Sequence, residues 1–146
     1  MTKNNLNDMT KLLRQSYPML LIDKVVSINK NKAQTIKYIT NSDPFMEGHF
    51  KSFKVYPVVL LVEVLAQSAA FPIYKSMGFV DDIWFLSIDR CHCHSFLVPG
   101  DIATSTVSVS NIDSLGVIKC QGTITNQNNE KVLDAKFKLI KKKIQN

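Results

Sequence analysis

Two hydrophobic patterns divide the first third of the chain. Residues that favour strands are frequent over 17–28 and 33–40, which predicts two strands, and the polar stretch NKNK between them predicts a hairpin. Residues 6–14 carry apolar side chains at i, i+3, i+6 and i+7, which predicts a short amphipathic helix before the first strand. Segment 41–56 follows neither period, and loops of this length are usually functional or mobile.

A nearly continuous apolar run after this loop predicts the main helix. Pro57 opens the run VVLLVEVLAQSAA, and proline is favoured at the first helical position because its missing N–H would have no intrahelical partner there. Pro72 cannot donate to the carbonyl of Ser68, so we expect the helix to kink or end near Pro72, before Gly78, after about four turns. Because the run is apolar on nearly every side, it must be wrapped by a sheet or shared with another subunit.

From Ile83 onward the pattern is that of strands alone. The stretches WFLSIDRCHCHSFLV, IATSTVSVS, LGVIKCQGTIT and EKVLDAKFKLIKK, separated by turns such as PGD and NQNN, predict three or four long strands in meander order. No repeat or linker interrupts the 146 residues. The pattern predicts a single α+β domain over 1–146, with one long central helix wrapped by an antiparallel sheet.

The charge of the chain favours an acidic protein partner and argues against nucleic acid. The net charge is +6, but only two of the 18 basic residues are arginines, and the lysines are scattered along the chain. Bidentate contacts to bases and phosphates depend on arginine, so we do not predict nucleic-acid binding. The positive balance would instead steer an acidic protein partner toward the surface.

The expected compartment follows from the composition of the N-terminus and of the apolar run. The N-terminus MTKNNLNDMTK has no apolar run of the kind found in signal peptides, and the longest apolar stretch, 55–73, includes Glu63 and two prolines. We therefore expect a cytoplasmic protein without a membrane span. In a reducing compartment the three cysteines are expected to be free thiols.

The candidate chemistry lies in the loop and the helix that follows it. Glu63 stands inside the apolar run, where desolvation raises a carboxyl pKa and suits the group to act as a general acid; Gln67 lies one turn further on. A buried partner from the sheet or from a dimer interface would explain Glu63 equally well. His49, in the loop motif EGHF, is a candidate base, and the first free N–H groups of the helix, on Val58 and Val59, could hold an oxyanion.

The order of these motifs resembles a known family. NSDPFMEGHF, a proline-initiated helix ending in LLVEVLAQ, and LSIDRCHCHSFLVPGD are similar to the 3-hydroxyacyl-acyl carrier protein dehydratases of the FabZ/FabA type, which have a hot-dog fold. YPMLLIDKV is similar to the opening strand of that family, and the resemblance runs from about Met9 to Leu139.

The resemblance implies a reaction and a set of site residues. His49 would take the α-proton of a 3-hydroxyacyl thioester, Glu63 would assist loss of the β-hydroxyl as water, and the N–H of Val58 would hold the thioester carbonyl. Gly48, Phe50 and Gln67 are the further residues that we expect at the substrate. The resemblance also implies a phosphopantetheine-linked substrate on acyl carrier protein, a homodimer or assembly of dimers in which His49 and Glu63 come from different subunits, and no metal or cofactor.

Three departures from the family pattern widen the range of functions. This chain has KSFK at 51–54 where the family has P-x-x-P, Val58 where the helix usually has glycine, and Arg14, Gln15 and Ser16 where the family has P-H-R. They suggest a divergent dehydratase, serving fatty acid synthesis or a specialised polyketide or polyene pathway. The alternatives are a hot-dog acyl thioesterase, in which Glu63 directs water at the carbonyl, and a catalytically weak partner subunit of a heteromeric dehydratase.

The run CHCH at 91–94 invites a metal interpretation that strand geometry opposes. On a strand, Cys91 and Cys93 face one way and His92 and His94 the other, so four ligands cannot converge. We expect the two cysteines to be small core residues and the two histidines to lie on the surface.

Overall fold

One antiparallel sheet surrounds one long helix. The computed structural model of the protein describes residues 11–77 and 82–143. Its elements are β1 (Lys24–Ile28), β2 (Lys32–Tyr38), a short 3-10 helix (Pro44–Met46), α1 (Val58–Met77), β3 (Asp82–Cys93), β4 (Ile102–Val109), β5 (Val117–Thr125) and β6 (Lys131–Lys142). The strand order is β1-β2-β4-β5-β6-β3, and every neighbouring pair is antiparallel. The predicted α+β class, with a central helix against an antiparallel sheet, is confirmed.

The core lies between α1 and the inner face of the sheet. Strand alternation places one set of side chains against the helix, and the members of this set on β4, β5 and β6 are almost all buried: Ala103, Ser105, Val107, Val109, Ile118, Cys120, Ile124, Leu133, Ala135, Phe137 and Leu139. Gly122 takes a place in this set because a Cβ there would lie 2.7 Å from Cδ2 of Leu65 and 2.9 Å from Cγ1 of Val107. The missing side chain lets the helix approach β5 closely.

The helix is longer than predicted. It begins at Val58, so Pro57 is the residue before it, and the carbonyl of Pro57 accepts the amides of Leu60 and Leu61. Of the two outcomes expected at Pro72, a kink or an end, the end is not observed, because α1 continues through Pro72 to Met77, the last residue before Gly78. The lost hydrogen bond to Ser68 is tolerated where Phe71 and Ile73, on either side of the proline, are almost fully buried in the core.

By length and composition alone, the helix is long and apolar enough to span a membrane. Residues Val58–Ser76 have a mean hydropathy of 1.5, but 67% of that stretch is buried inside the protein. This burial is typical of a core helix, whose apolar surface the sheet covers instead of lipid.

The strand order corrects the predicted meander. β4, β5 and β6 do form consecutive antiparallel pairs, but β3 pairs with β6 and not with β4. Segment 94–101 carries the chain from β3 to β4, whose partners are β2 and β5. β3 therefore lies at one edge of the sheet, with β1 at the other.

The N-terminal region differs from its prediction in two places. The helix expected over 6–14 lies largely outside the described residues, and 11–14 contain a turn. The hairpin is confirmed, but its first strand begins at Lys24 instead of residue 17. Segment 17–23 is irregular because its polar groups bond elsewhere: the amide of Leu20 donates to the carbonyl of Ser16, and that of Leu21 to the side chain of Gln67.

Candidate active site

The loop over 41–56 holds His49 in a defined orientation. Nδ1 of His49 lies 2.8 Å from the carbonyl oxygen of Val55. A carbonyl only accepts, so Nδ1 carries the proton and, in the neutral ring, the lone pair is on Nε2. The residues on both sides have left-handed backbones, Gly48 with φ of 79° and Phe50 with φ of 61°. A positive φ is free for glycine but strained for Phe50, and such strain is typical of functional loops.

Glu63 is half-buried on α1, and one of its oxygens is held by two amides. Its Oε1 accepts from Nε2 of Gln67 at 2.9 Å and from Nε2 of Gln15 at 3.3 Å. Burial raises the pKa of the Glu63 carboxyl above its ordinary value, and the two amide donors oppose that rise in part. The arrangement orients the carboxyl group and leaves Oε2 available to a substrate.

The amide of Gln67 has its polar atoms occupied by the protein itself. Gln67 is 1% exposed, and its Nε2 donates to Glu63 and to the carbonyl of Met19, while its Oε1 accepts from the amide of Leu21. These bonds tie the irregular segment 17–23 to the helix. They also place Gln67 behind Glu63, where it acts on the orientation of the carboxyl group.

The raised pKa of Glu63 predicts a pH-dependent effect on stability. A carboxyl whose pKa is higher in the folded state than in the unfolded state disfavours folding once it ionises, so stability is greatest below the unfolded pKa and declines as pH rises through the folded pKa. Glu63→Gln keeps an oxygen acceptor but cannot ionise. We expect its Tm to exceed that of the wild type at about pH 8 and to approach it near pH 4, as measured by thermal unfolding.

Glu47→Gln is the matched control, since Glu47 is an exposed carboxylate of the neighbouring loop. The difference in Tm between Glu47→Gln and the wild type should be the same at both pH values. A Glu63→Gln protein that is less stable than the wild type at both pH values would contradict the raised pKa.

The start of α1 provides free backbone donors three residues after Val55. The first N–H groups of a helix have no intrahelical acceptor and lie at the positive end of the helix dipole. Val58 is half-buried and Val59 is 76% exposed, so the predicted donors lie at the surface beside the loop that carries His49. The branched side chain of Val58 narrows the approach to its own N–H.

A small cavity connects Glu63 with the edge strand. The cavity measures about 60 Å³ and is lined by Glu63, Gln67 and Gln15, with Ile83 and Phe85 from β3. Glu63 therefore faces toward the sheet edge that has no further strand among the described residues. Over residues 11–77 and 82–143, His49 and Glu63 share no hydrogen-bond partner.

The CHCH run is partly as predicted. The rings of His92 and His94 lie on one side with centroids 6.3 Å apart, and both side chains are exposed. Cys91 is half-buried, but Cys93 is exposed, so the expectation that both cysteines are core residues is wrong for Cys93. Cys93 is the last residue of the edge strand β3. Among the described residues no three potential ligands are grouped to hold a metal ion.

Two features of the site had no sufficient signal in the sequence. In the sequence, Gln15 is marked only by its departure from the family pattern, yet its side-chain amide donates to Glu63, 48 residues away. Lys37 is 6% exposed on β2 and pairs with Asp43 at the start of the loop. For Lys37, the signal available in the sequence was the position of a lysine among the inward-facing residues of an alternating strand.

Comparisons with known proteins identify the family of the chain. The family model of the FabA-like domain matches residues 13–142. The 3-hydroxyacyl-[acyl-carrier-protein] dehydratase FabZ of Caldanaerobacter subterraneus is 35% identical over 117 residues, which cover 79% of this chain and 82% of the relative. The FabZ of Coxiella burnetii is 37% identical over 126 residues, covering 83% and 88% of the two chains.

Solved structures share the fold at much lower identity. A chain of the dehydratase heterocomplex ApeI:P from Xenorhabdus doucetiae aligns with a TM-score of 0.77 at 14% identity, over 92% of this chain and 90% of that one. A hypothetical thioesterase from Streptococcus pneumoniae aligns with a TM-score of 0.67 at 12% identity, over 97% and 99% of the two chains. The family match along most of the sequence, on a helix inside a hot-dog sheet, shows that this chain belongs to the FabA/FabZ-type family of 3-hydroxyacyl-acyl carrier protein dehydratases.

Proposed function

We propose that this protein removes water from 3-hydroxyacyl thioesters carried on acyl carrier protein and forms the trans-2-enoyl thioester. The observation that carries the proposal is the hydrogen bond from His49 Nδ1 to the Val55 carbonyl, because it leaves Nε2 as a base of fixed tautomer. A thioesterase that uses Glu63 to direct water would not need such a base. The family membership of the chain supports the same reaction.

The reaction divides between two catalytic residues. Nε2 of His49 takes the proton from Cα, and the electrons of that C–H bond move toward the thioester carbonyl. The N–H of Val58 donates to the oxygen on which negative charge develops. As the Cα=Cβ bond forms, the C–O bond to the β-hydroxyl breaks, and Oε2 of the protonated Glu63 gives its proton to the leaving oxygen. One water departs, and no metal or cofactor takes part in these steps.

The remaining predicted site residues take different roles in this proposal. Gly48 and Phe50 flank His49, and we assign the ring of Phe50, which is 60% exposed and has its centroid 4.4 Å from that of His49, to contact with the acyl chain. Gln67 is enclosed by protein partners, so we assign it to orienting Glu63 and not to direct substrate contact. Gln15 has the same function from the opposite side of Oε1.

A homodimer would complete the site. β3 is a twelve-residue edge strand with four exposed apolar side chains in its first seven residues, Trp84, Phe85, Leu86 and Ile88. Natural sheets protect such edges, since a long apolar edge pairs readily with another chain. Pairing of two β3 strands would place the cavity of Glu63 beside the partner subunit, so that His49 of one subunit serves Glu63 of the other. Further association of dimers would follow the same symmetry.

The substrate would arrive on acyl carrier protein in the cytoplasm. Of the basic residues near the loop, Lys51 is exposed, while Lys54 donates to the carbonyl of Met46 and Arg90 pairs with Asp134. Lys51 is therefore the residue most available for an acidic carrier surface. The pathway is fatty acid synthesis or, as the departures at 51–54 and at Val58 suggest, a specialised polyketide or polyene pathway.

The test is an assay of the protein alone on a panel of 3-hydroxyacyl carrier proteins. We expect a product that is lighter by one water, detected by mass spectrometry. Release of free acid would show a thioesterase. Activity that appears only when a second dehydratase subunit is added would show a weak partner in a heteromeric enzyme, the kind of assembly that the Xenorhabdus heterocomplex represents.

A further inference from the structure

Lys37 is a buried lysine that the proposed reaction does not use. Its side chain lies on β2 and is 7% exposed. A buried ammonium is costly unless it is paired and hydrogen-bonded, so its partners are part of the reason that it is retained. Those partners come from three separate segments of the chain.

Two of the three partners of Lys37 lie near the two ends of the loop that carries His49. Its Nζ is 3.1 Å from Oδ2 of Asp43, whose side chain is 9% exposed, and 3.9 Å from Oδ2 of Asp23. The same Nζ lies 5.3 Å from the centroid of the Tyr56 ring, within the range of a cation–π contact. Asp43 lies near the start of the loop and Tyr56 ends it, so the side chain of Lys37 joins both ends. We call Lys37, Asp43 and Tyr56 the loop clasp.

The loop clasp is linked to His49 through the backbone. Tyr56 directly follows Val55, whose carbonyl accepts from Nδ1 of His49. The amide of Tyr56 donates to the carbonyl of Leu97, and Tyr56 is 1% exposed. A displacement of the Tyr56 ring would therefore move the acceptor that sets the tautomer of His49.

The other end of the loop is held in the same way. Oδ1 of Asp43 accepts from the amide of Phe45 and starts the short 3-10 helix, while Oδ2 faces Lys37. That helix places Met46, 1% exposed, in the core. The carbonyl of Met46 in turn accepts from Nζ of Lys54, which comes from the far end of the loop.

We propose that Lys37 is a positioning residue that, through Asp43 and Tyr56, holds the Val55 carbonyl against His49 and so keeps the lone pair of His49 on Nε2. The proposal rests on the proposed function for its effect on turnover. Its effect on the His49 tautomer is independent of any activity.

The test combines kinetics with the ¹⁵N chemical shifts of the histidine ring in the full-length protein. Lys37→Met keeps the apolar stem but removes the charge. We expect kcat to fall about tenfold or more with KM changed less than about threefold, because a small misplacement of a catalytic group costs turnover. The ¹⁵N spectrum, with His49 assigned from a His49→Gln variant, should change from one tautomer to a mixture.

Asp43→Asn is a milder second variant, since asparagine can still accept from the amide of Phe45 while the ion pair is lost. It should move the spectrum and kcat in the same direction. Lys37→Met combined with Asp43→Asn leaves no unpaired buried charge, so it should recover thermal stability without recovering the single tautomer or kcat. Recovery of all three would mean that the cluster is merely structural.

Thr35→Val is the matched control. Thr35 lies two residues earlier on the same inward face of β2 and hydrogen-bonds Ser68 at 2.7 Å in the core. Its loss should lower Tm without altering the His49 spectrum or kcat. A Lys37→Met protein that retains the single tautomer overturns the proposal, whereas an inactive wild type with the expected spectral change would overturn the proposed reaction alone.

Discussion

Replacing His49 with alanine or Glu63 with glutamine is expected to lower kcat for dehydration at least about a hundredfold, the usual contribution of a positioned acid or base. His49→Ala removes the base. Glu63→Gln removes the proton donor but can still accept from Gln15 and Gln67, so the site should keep its shape. The measurement is product formation by each purified variant under saturating substrate.

The control for this prediction is Glu47→Gln, an exposed loop carboxylate near His49, which should remain fully active. Circular dichroism would confirm that all variants are folded. Near-normal turnover in both the His49 and the Glu63 variants would contradict the assignment of these two residues as catalytic.

The second large effect is expected at the edge strand. Lysine on an edge strand blocks pairing with another chain, so Leu86→Lys combined with Ile88→Lys should convert dimers to monomers or unfolded chains and abolish activity. Analytical ultracentrifugation at micromolar concentration measures the change. Leu115→Lys is the control, since Leu115 is an equally apolar residue, 79% exposed, in the turn before β5. It should remain dimeric and active.

Mixed dimers test whether the site is shared between subunits. When His49→Ala and Glu63→Gln chains are unfolded and refolded together, half of the dimers should be heterodimers, each with one intact site of two. About one quarter of wild-type activity should therefore return, since a symmetric dimer exchanges the same residues in both directions. No recovery in a mixture shown to contain heterodimers would place both residues in one subunit. Stable, active monomers of the wild type would rule out the shared site altogether.

The local pattern was sufficient for much of the fold, and it singled out two candidate catalytic residues. The apolar run predicted α1, and the loss of periodicity over 41–56 predicted the loop. Glu63 stood out because a carboxylate inside an apolar run needs an explanation, and His49 because its motif appears in family order. Each of these signals depends only on residues that are close in the sequence, within a few helical turns or a few strand positions. They can therefore be recognised without a structure.

The helix end and the first strand show where local rules were overruled. Pro72 lacks the N–H that Ser68 would accept, yet burial of its neighbours on both sides keeps the helix intact to Met77. Segment 17–23 has the composition of a strand, but the amide of Leu21 bonds a side chain 46 residues away instead of a neighbouring strand. In both places tertiary packing outweighed a modest local preference.

Alternation along the sequence determined which side chains of each strand face the helix, but only the tertiary structure decided which strands are neighbours and which polar groups meet. β3 shows little alternation in burial, and its position beside β6 depends on the path of 94–101, which carries the chain away from β3 to β4. The bonds from Gln15 to Glu63 and from Lys37 to Asp43 and Tyr56 likewise join segments that no period relates. Hydrophobic periodicity records the burial of a residue, whereas hydrogen bonds and ion pairs need two groups in fixed geometry, and that geometry exists only once the helix lies in its sheet.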